Sequence, residues 1–376
     1  MKSVAIMKVP EIIKIFEAIA PPHLAEDWDN VGLLIGDKLT DVKRLMPCID
    51  LTMPVLKEAH ARGANLVMAY HPPIFKPISR VTASDTPVAY AAARMGLAVY
   101  SMHTALDAAV GGTHDVLADA TGMAARRPIE SPAMAGRCKI VVFAPPGDLE
   151  RISEAAFEAG AGRIGDYSRC GFFTNGVGTF LPGKGASPKV RGERAAGSRQ
   201  EFVDEVRLEM VAPRSKAAAI VLAVRGVHSY EEPAIDVYPL DDYPPGCGRG
   251  RIGELERPTS LDAILRRLKR AAGVKNVLVA KAADKGRKAQ TVACAAGAGG
   301  SLLKAAIKQD AQVFVTGEVR HHDALAAAAS GITVICLGHS NSERMALARV
   351  AQRLRDAMPG LPVVLSRADR DPFEIV

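Results

Sequence analysis

The chain has 376 residues, a mass of 39.8 kDa, 48% hydrophobic and 24% charged residues, and a formal net charge of +7. This length leaves room for two domains, each with its own core; no apolar stretch approaches the roughly 18 residues of a membrane span, and Lys8, Glu11 and Lys14 interrupt the amino-terminal segment where a signal peptide needs an apolar core, so a cytoplasmic protein without a membrane partner is expected. Nucleic acid is an unlikely main ligand, because the 48 basic residues are spread against 41 acidic ones and only 5% of residues are aromatic and available for base stacking.

In chain order, residues 1–130 alternate helix and strand signals. PEIIKIFEAIA is amphipathic at helical spacing, VGLLIG and LMPCIDLT are strand-like, PVLKEAHARGA is helical, NLVMAY is a buried strand, VAYAAARMG a helix and LAVYSMHT another strand. This is βαβ grammar and predicts a mostly parallel sheet. Residues 136–242 change pattern to β-α-β-β-α-β with glycine-rich turns, which suits a small ferredoxin-like α+β unit. Within it, Lys184, Lys189, Arg191, Arg194 and Arg199 read as a solvated loop, and HSYEEPAID, with Glu231 and Glu232, as a solvated or interface strand rather than a second acidic metal site. Residues 250–376 return to the first grammar and end on the helix SERMALARVAQRLRDAM, so the middle unit reads as an insertion into one split α/β domain. The six cysteines are scattered without a CxxC pair, which predicts free thiols.

Three strand ends carry the chemistry. His339 and Glu343 lie four residues apart after ITVICLG, on one face of an opening helix; the alternative of an exposed ion pair fits that buried approach less well. His103 stands four residues before Asp107 after AVYSM, and His71 ends the run NLVMAY. In an open α/β sheet, ligands bind beyond the carboxyl ends of the strands, so these residues can share a pocket, and a metal is the expected occupant. The run AAGAGGS (295–301) lacks the Lys-Ser/Thr of a phosphate loop and reads as a packing turn. Trp28, the single tryptophan, is expected in the core or at a contact between lobes.

The segments DWDNVGLLIG, AYHPPIF, SMHTALDAAVGGTHDVLA, VTGEVRHHDALAAAASG and GHSNSE together resemble the Nif-three-like dinuclear-metal proteins, often labelled GTP cyclohydrolase 1 type 2 homologs, in the long form with an inserted domain. The resemblance covers almost the whole chain. It implies two facing α/β lobes, a pair of divalent metal ions (Zn, Fe or Mn) between them, and a toroidal homohexamer. By motif it assigns His71, Asp107, His339 and Glu343 as metal ligands, with the carboxylates as bridges and the imidazoles as terminal ligands. His322 and Glu318 are the candidates for catalytic or substrate-contacting groups, with His321 at the surface. Where the family usually has two consecutive histidines this chain has Tyr70 before His71; Tyr70 is a candidate ligand as a phenolate, which trivalent iron favours, but a neutral phenol is the expectation, leaving that metal position to Asp107, Glu343, water and, as one reading, His103. Other readings of His103 are a structural histidine and an orienter of Asp107. His114, where the family tends to have Asn, is expected near a helix start. Two functions follow from the resemblance: a metal-dependent hydrolase of a nucleotide-like or phosphorylated small molecule, or a non-enzymatic metallochaperone or metal-linked regulator.

Overall fold

The computed structural model describes residues 7–130, 137–183, 185–186, 192–194, 200–240, 246–283, 286 and 288–374. The chain divides into two compact units, Met1–Ala133 with Pro244–Val376, and Met134–Tyr243. The fold is mixed α/β.

Among its described residues the first unit holds two main sheets besides a two-stranded pairing of Met7–Lys8 with Asp41–Val42. One is four-stranded, in the order Gly32–Ile35, Ala98–Ser101, Leu66–Ala69, Leu45–Cys48, with the last three strands parallel. LVMA and AVYS are buried along their whole length, as expected of strands covered on both faces. Pro47 cannot donate to a ladder, and its strand lies at the edge of this path. There the chain's last segment adds a short parallel contact: the Leu45 amide donates to the Pro362 carbonyl, and the Val364 amide to the Leu45 carbonyl.

The second sheet is six-stranded: Leu278–Ala280, Thr333–Cys336, Val313–Thr316, Ala289–Ala295, Arg251–Thr259 and Met123–Arg127. The parallel pairing read from the sequence holds through three strands of the first sheet and at the centre of the second; Gly32–Ile35 pairs antiparallel in the first sheet, and the outer pairs of the second are antiparallel. The strand Arg251–Thr259, with Glu254, Glu256 and Arg257 inside it, has no apolar run by which to recognise it.

The helix His339–Ala357 connects the two sheets. It starts just beyond the second sheet's strand Thr333–Cys336 and buries Leu347, Val350, Ala351 and Leu354 in one core with Ile12 and Phe16 of the helix Val9–Ile19 and Leu66, Met68 and Tyr100 of the first sheet. Those four apolar positions recur at helical spacing, so one face of the helix is committed to that core. Asp369 fixes the arrangement further, accepting from the Ile49 amide at 2.7 Å and from Arg344 Nη1 at 2.6 Å. It thereby ties the residue before Asp50 to the residue after Glu343. A second anchor is Arg251, 1% exposed, which donates to both carboxylate oxygens of Asp115 and to the carbonyls of Gly248 and Gly250.

The second unit has strands Arg137–Ala144, Phe172–Phe180, Glu201–Pro213 and Ile235–Leu240, all antiparallel, with the short strand Glu193–Arg194. Arg137–Ala144 lies between Glu201–Pro213 and Ile235–Leu240. Its helices Leu149–Glu158 and Ala217–Val227 contribute Ile152, Ala156, Ile220 and Val224 to a core with Ile140, Val142 and Leu208. Glu231 and Glu232 are exposed ahead of the strand Ile235–Leu240. Of the basic cluster read as a loop, Lys184, Lys189, Arg191 and Arg199 lie outside the described residues. The six cysteines are free, four of them buried.

Candidate metal centre

Parallel strands bring equivalent ends to one edge of a sheet. Asp50 follows Leu45–Cys48, Tyr70 and His71 follow Leu66–Ala69, and His103 follows Ala98–Ser101. His103 has φ of 26°, a conformation that L residues rarely adopt and that collects at functional positions. From the other sheet, Gly338 with φ of 92° turns the chain into the last helix, whose first residue is His339; Glu343 follows one turn later on the same face.

The cluster consists of His71, His339 and Glu343, with ligand atoms all within 4.8 Å of one another. His71 Nδ1 lies 2.9 Å from Asp50 Oδ1, and His339 Nδ1 lies 3.0 Å from Glu318 Oε1. A carboxylate only accepts, so each Nδ1 carries a proton and each Nε2 is turned to Glu343: His71 Nε2 stands 3.4 Å from Oε2 and His339 Nε2 3.3 Å from Oε1. A carboxylate holding the far nitrogen of an imidazole is the usual support of a metal-binding histidine.

Glu343 is 4% exposed, and its Oε2 has no hydrogen-bond donor, since the His71 separation is that of an ion pair without hydrogen-bond alignment. Burial pushes its carboxyl up and Asp107 pushes the same way, against His71 and His339. A buried carboxylate that turns one oxygen to each of two imidazole nitrogens, with Oε2 unsatisfied, suits a cation. His71 reports the same field: burial disfavours its charged form, but Asp50 and Glu343 outweigh that and push it up to about 10. The Asp50 carboxyl is held low by the hydrogen bond from His71 despite its burial. Gly297, at φ of 63°, completes the floor, because a Cβ there would lie 2.5 Å from Glu343 Oε1.

A cavity of about 500 Å³ opens over this cluster, lined by His71, Asp107, His339 and Glu343 together with Trp28, Phe75, His103, His114 and Arg249. Tyr70 is buried and donates its hydroxyl to Asp107 Oδ1; burial first, then Asp107 and Glu343, push the phenol well above 10, so it stays neutral. His103 Nδ1 lies 2.7 Å from Asp29 Oδ1, whose side chain is fully buried and which also accepts from the Thr104 amide. That contact ties His103 to Asp29 and not to Asp107. His114 lies in the first turn of the helix Thr113–Thr121, but it is buried, accepting from the Gly250 amide at Nδ1 at 3.0 Å, and burial lowers its pKa, so it is neutral.

Glu318 meets the site through His339. His322 is exposed on the helix His321–Ala329 and is not among the cavity's lining residues, so the two sequence candidates for contact roles part here. The turn at 295–299 lines the cavity, yet the Gly297 and Gly299 amides donate to Ser342 Oγ and Thr316 Oγ1, as befits a packing turn. Trp28 does not lie in a core, one of its two expected places: it is 59% exposed and lines the cavity. Sequence reasoning missed Asp50 and Asp29. Asp50 was recoverable, since it ends the strand parallel to the one that delivers His71.

An α/β chain whose opposed sheets bring histidines and a buried carboxylate to one cavity belongs to a definite class. The chain is a member of the Duf34/NIF3 (NGG1p interacting factor 3) family, whose model matches residues 7–372. Its relatives named GTP cyclohydrolase 1 type 2 homolog include a protein of Halalkalibacterium halodurans, 33% identical over 97% of this chain and 98% of that one, and one of Mycobacterium leprae, 35% identical over 98% and 95%. Among solved structures, a Bacillus cereus protein related to NIF3 is 33% identical with a TM-score of 0.66, covering 99% of this chain and 100% of the other. The Staphylococcus aureus protein SA1388 shares the fold at a TM-score of 0.70 and 24% identity, covering 98% and 99%. No helix among the described residues is long and apolar enough to cross a membrane.

Proposed function

We propose that His71, His339, Glu343 and Asp107 hold two divalent metal ions and that the protein is a metal-dependent hydrolase of a nucleotide-like or phosphorylated small molecule. The observation that carries this reading is the donorless buried oxygen of Glu343 between two histidines whose outer nitrogens are tied to Asp50 and Glu318. The name shared by the relatives, GTP cyclohydrolase 1 type 2 homolog, agrees with a nucleotide-like substrate class.

Bound metal ions would supply Lewis-acid polarisation of water and of the attacked oxygen. The chain's own part is positional. Asp50 and Glu318 hold the Nδ1 atoms of His71 and His339, which fixes both rings and leaves each Nε2 aimed at Glu343 as the atom that would meet a cation. Tyr70 holds Asp107 by a hydrogen bond and contributes no charge. Trp28 and Phe75 supply an apolar wall on one side of the cavity.

The test is a panel of nucleotides and phosphoesters incubated with metal-loaded protein, with and without chelator. Chelator-sensitive hydrolysis of one class is expected. Stoichiometric metal without turnover of any member would instead favour the metal-carrier reading, for which the 39% exposed side chain of His339 offers an exit. The homohexamer implied by the family resemblance has its own check: sedimentation near six times 39.8 kDa supports it, and a monomer contradicts it.

A further inference from the structure

We propose that Trp28 is a stacking platform for a planar heteroaromatic ring at the mouth of the cavity, so that a ligand lies with its ring on Trp28 and its polar end towards His71, His339 and Glu343. The orientation rests on the metal-site reading above; the stacking does not.

Trp28 leaves 59% of its surface open, while lining the same cavity as the metal cluster. Phe75, 48% exposed, stands with its ring centroid 5.8 Å from that of Trp28, and His103 presents its ring at 6.0 Å with planes 75° apart. The three rings form an aromatic corner that is open at Trp28 and Phe75, with the His103 side chain, 14% exposed, set behind them. A surface of this kind suits a ligand with a π-face, because every planar heterocycle offers one.

The corner is held in place from both sides. Asp29, next to Trp28, is locked by His103 and the Thr104 amide, and Asn30 Nδ2 donates at 2.6 Å to the Ile74 carbonyl, next to Phe75. Glu26 and Arg249, paired at 3.0 Å, also line the cavity and offer an acceptor and a donor to polar atoms on a ring edge. The cavity volume of about 500 Å³ lies in the range of small-molecule sites.

Because Trp28 is the only tryptophan, its fluorescence reports this corner alone. The holoprotein is titrated with adenosine 5′-monophosphate, guanosine 5′-monophosphate and, as the ringless control, ribose 5-phosphate. Saturable quenching by either nucleotide and none by ribose 5-phosphate is the expected result. In calorimetry Trp28→Ala should weaken nucleotide binding by roughly tenfold or more, with Trp28→Phe restoring part of it. Metal content is measured on the same variants; its retention in Trp28→Ala separates loss of stacking from failure of the metal site. No response to either nucleotide, or an equal response to ribose 5-phosphate, overturns the proposal. Emission that changes only with protein concentration also overturns it, and assigns the corner to contact with a second copy of the chain.

Discussion

His71 Nε2 lies 3.4 Å from Glu343 Oε2, although one residue ends a strand of the first sheet and the other sits in the helix that leaves the second. The cluster therefore exists only while the helix His339–Ala357 stays packed on the first sheet. Stability of that packing and integrity of the site are one property.

The carboxylates behind the histidines set their tautomer and aim. Asp50→Asn should weaken metal binding by roughly ten- to a hundredfold, the usual cost of losing such a support, with little change in melting temperature. Competition against a chromophoric chelator measures it. An unaltered affinity would mean that Asp50 does not orient His71.

Tyr70 should behave as a neutral hydrogen-bond donor. Loaded with ferric iron, the protein should show no phenolate charge-transfer band, and Tyr70→Phe should cost about 1–3 kcal/mol of stability by leaving Asp107 without its donor. A visible band abolished by Tyr70→Phe would establish ligation instead. Tyr70→His should tighten metal binding at that position.

The Arg251–Asp115 pair is buried on both sides, with side chains 1% and 5% exposed. Asp115→Ala leaves a guanidinium without its counter-charge and should destabilise the first unit by about 3–5 kcal/mol in denaturant unfolding. A loss under 1 kcal/mol would show that the carbonyls of Gly248, Gly250, Ala108 and Ala109 satisfy Arg251 without Asp115.

Glu58 predicts the acid limb of stability. Burial alone would raise its carboxyl, but hydrogen bonds from Ser366, the Ala368 and Arg367 amides and Arg62 outweigh it and bring it from 4.5 to about 2. A depressed folded-state pKa means stability that is present above pH 4.5 and lost as the pH falls towards 2. Melting temperature followed across that window should fall less steeply in Glu58→Gln than in the parent chain; parallel curves would remove Glu58 as the cause.

The sequence made the central strands and the main helices legible because their apolar positions recur at the period of the element, as in LVMA, AVYS and the last helix. It also carried His71, His339 and Glu343, since each stands just beyond a buried strand. Arg251–Thr259 was not legible: a strand so rich in charge lacks the period, and only its two partners, Ala289–Ala295 and Met123–Arg127, identify it. Trp28 was not narrowed to the cavity because tryptophan is buried on average, and nothing local tells a cavity wall from a core. His322 fitted its motif by position, but a helix face is set by packing, which left it exposed on the helix His321–Ala329.

The most direct measurement is elemental analysis of the protein purified without added metal, then of the same protein after incubation with zinc, iron or manganese, set beside Glu343→Gln. The account predicts divalent metal at two ions per chain in the parent and a fall to one or none in Glu343→Gln, with the fold retained. A parent chain that takes up no metal under any of these conditions, or a Glu343→Gln variant that keeps the full complement, would contradict it.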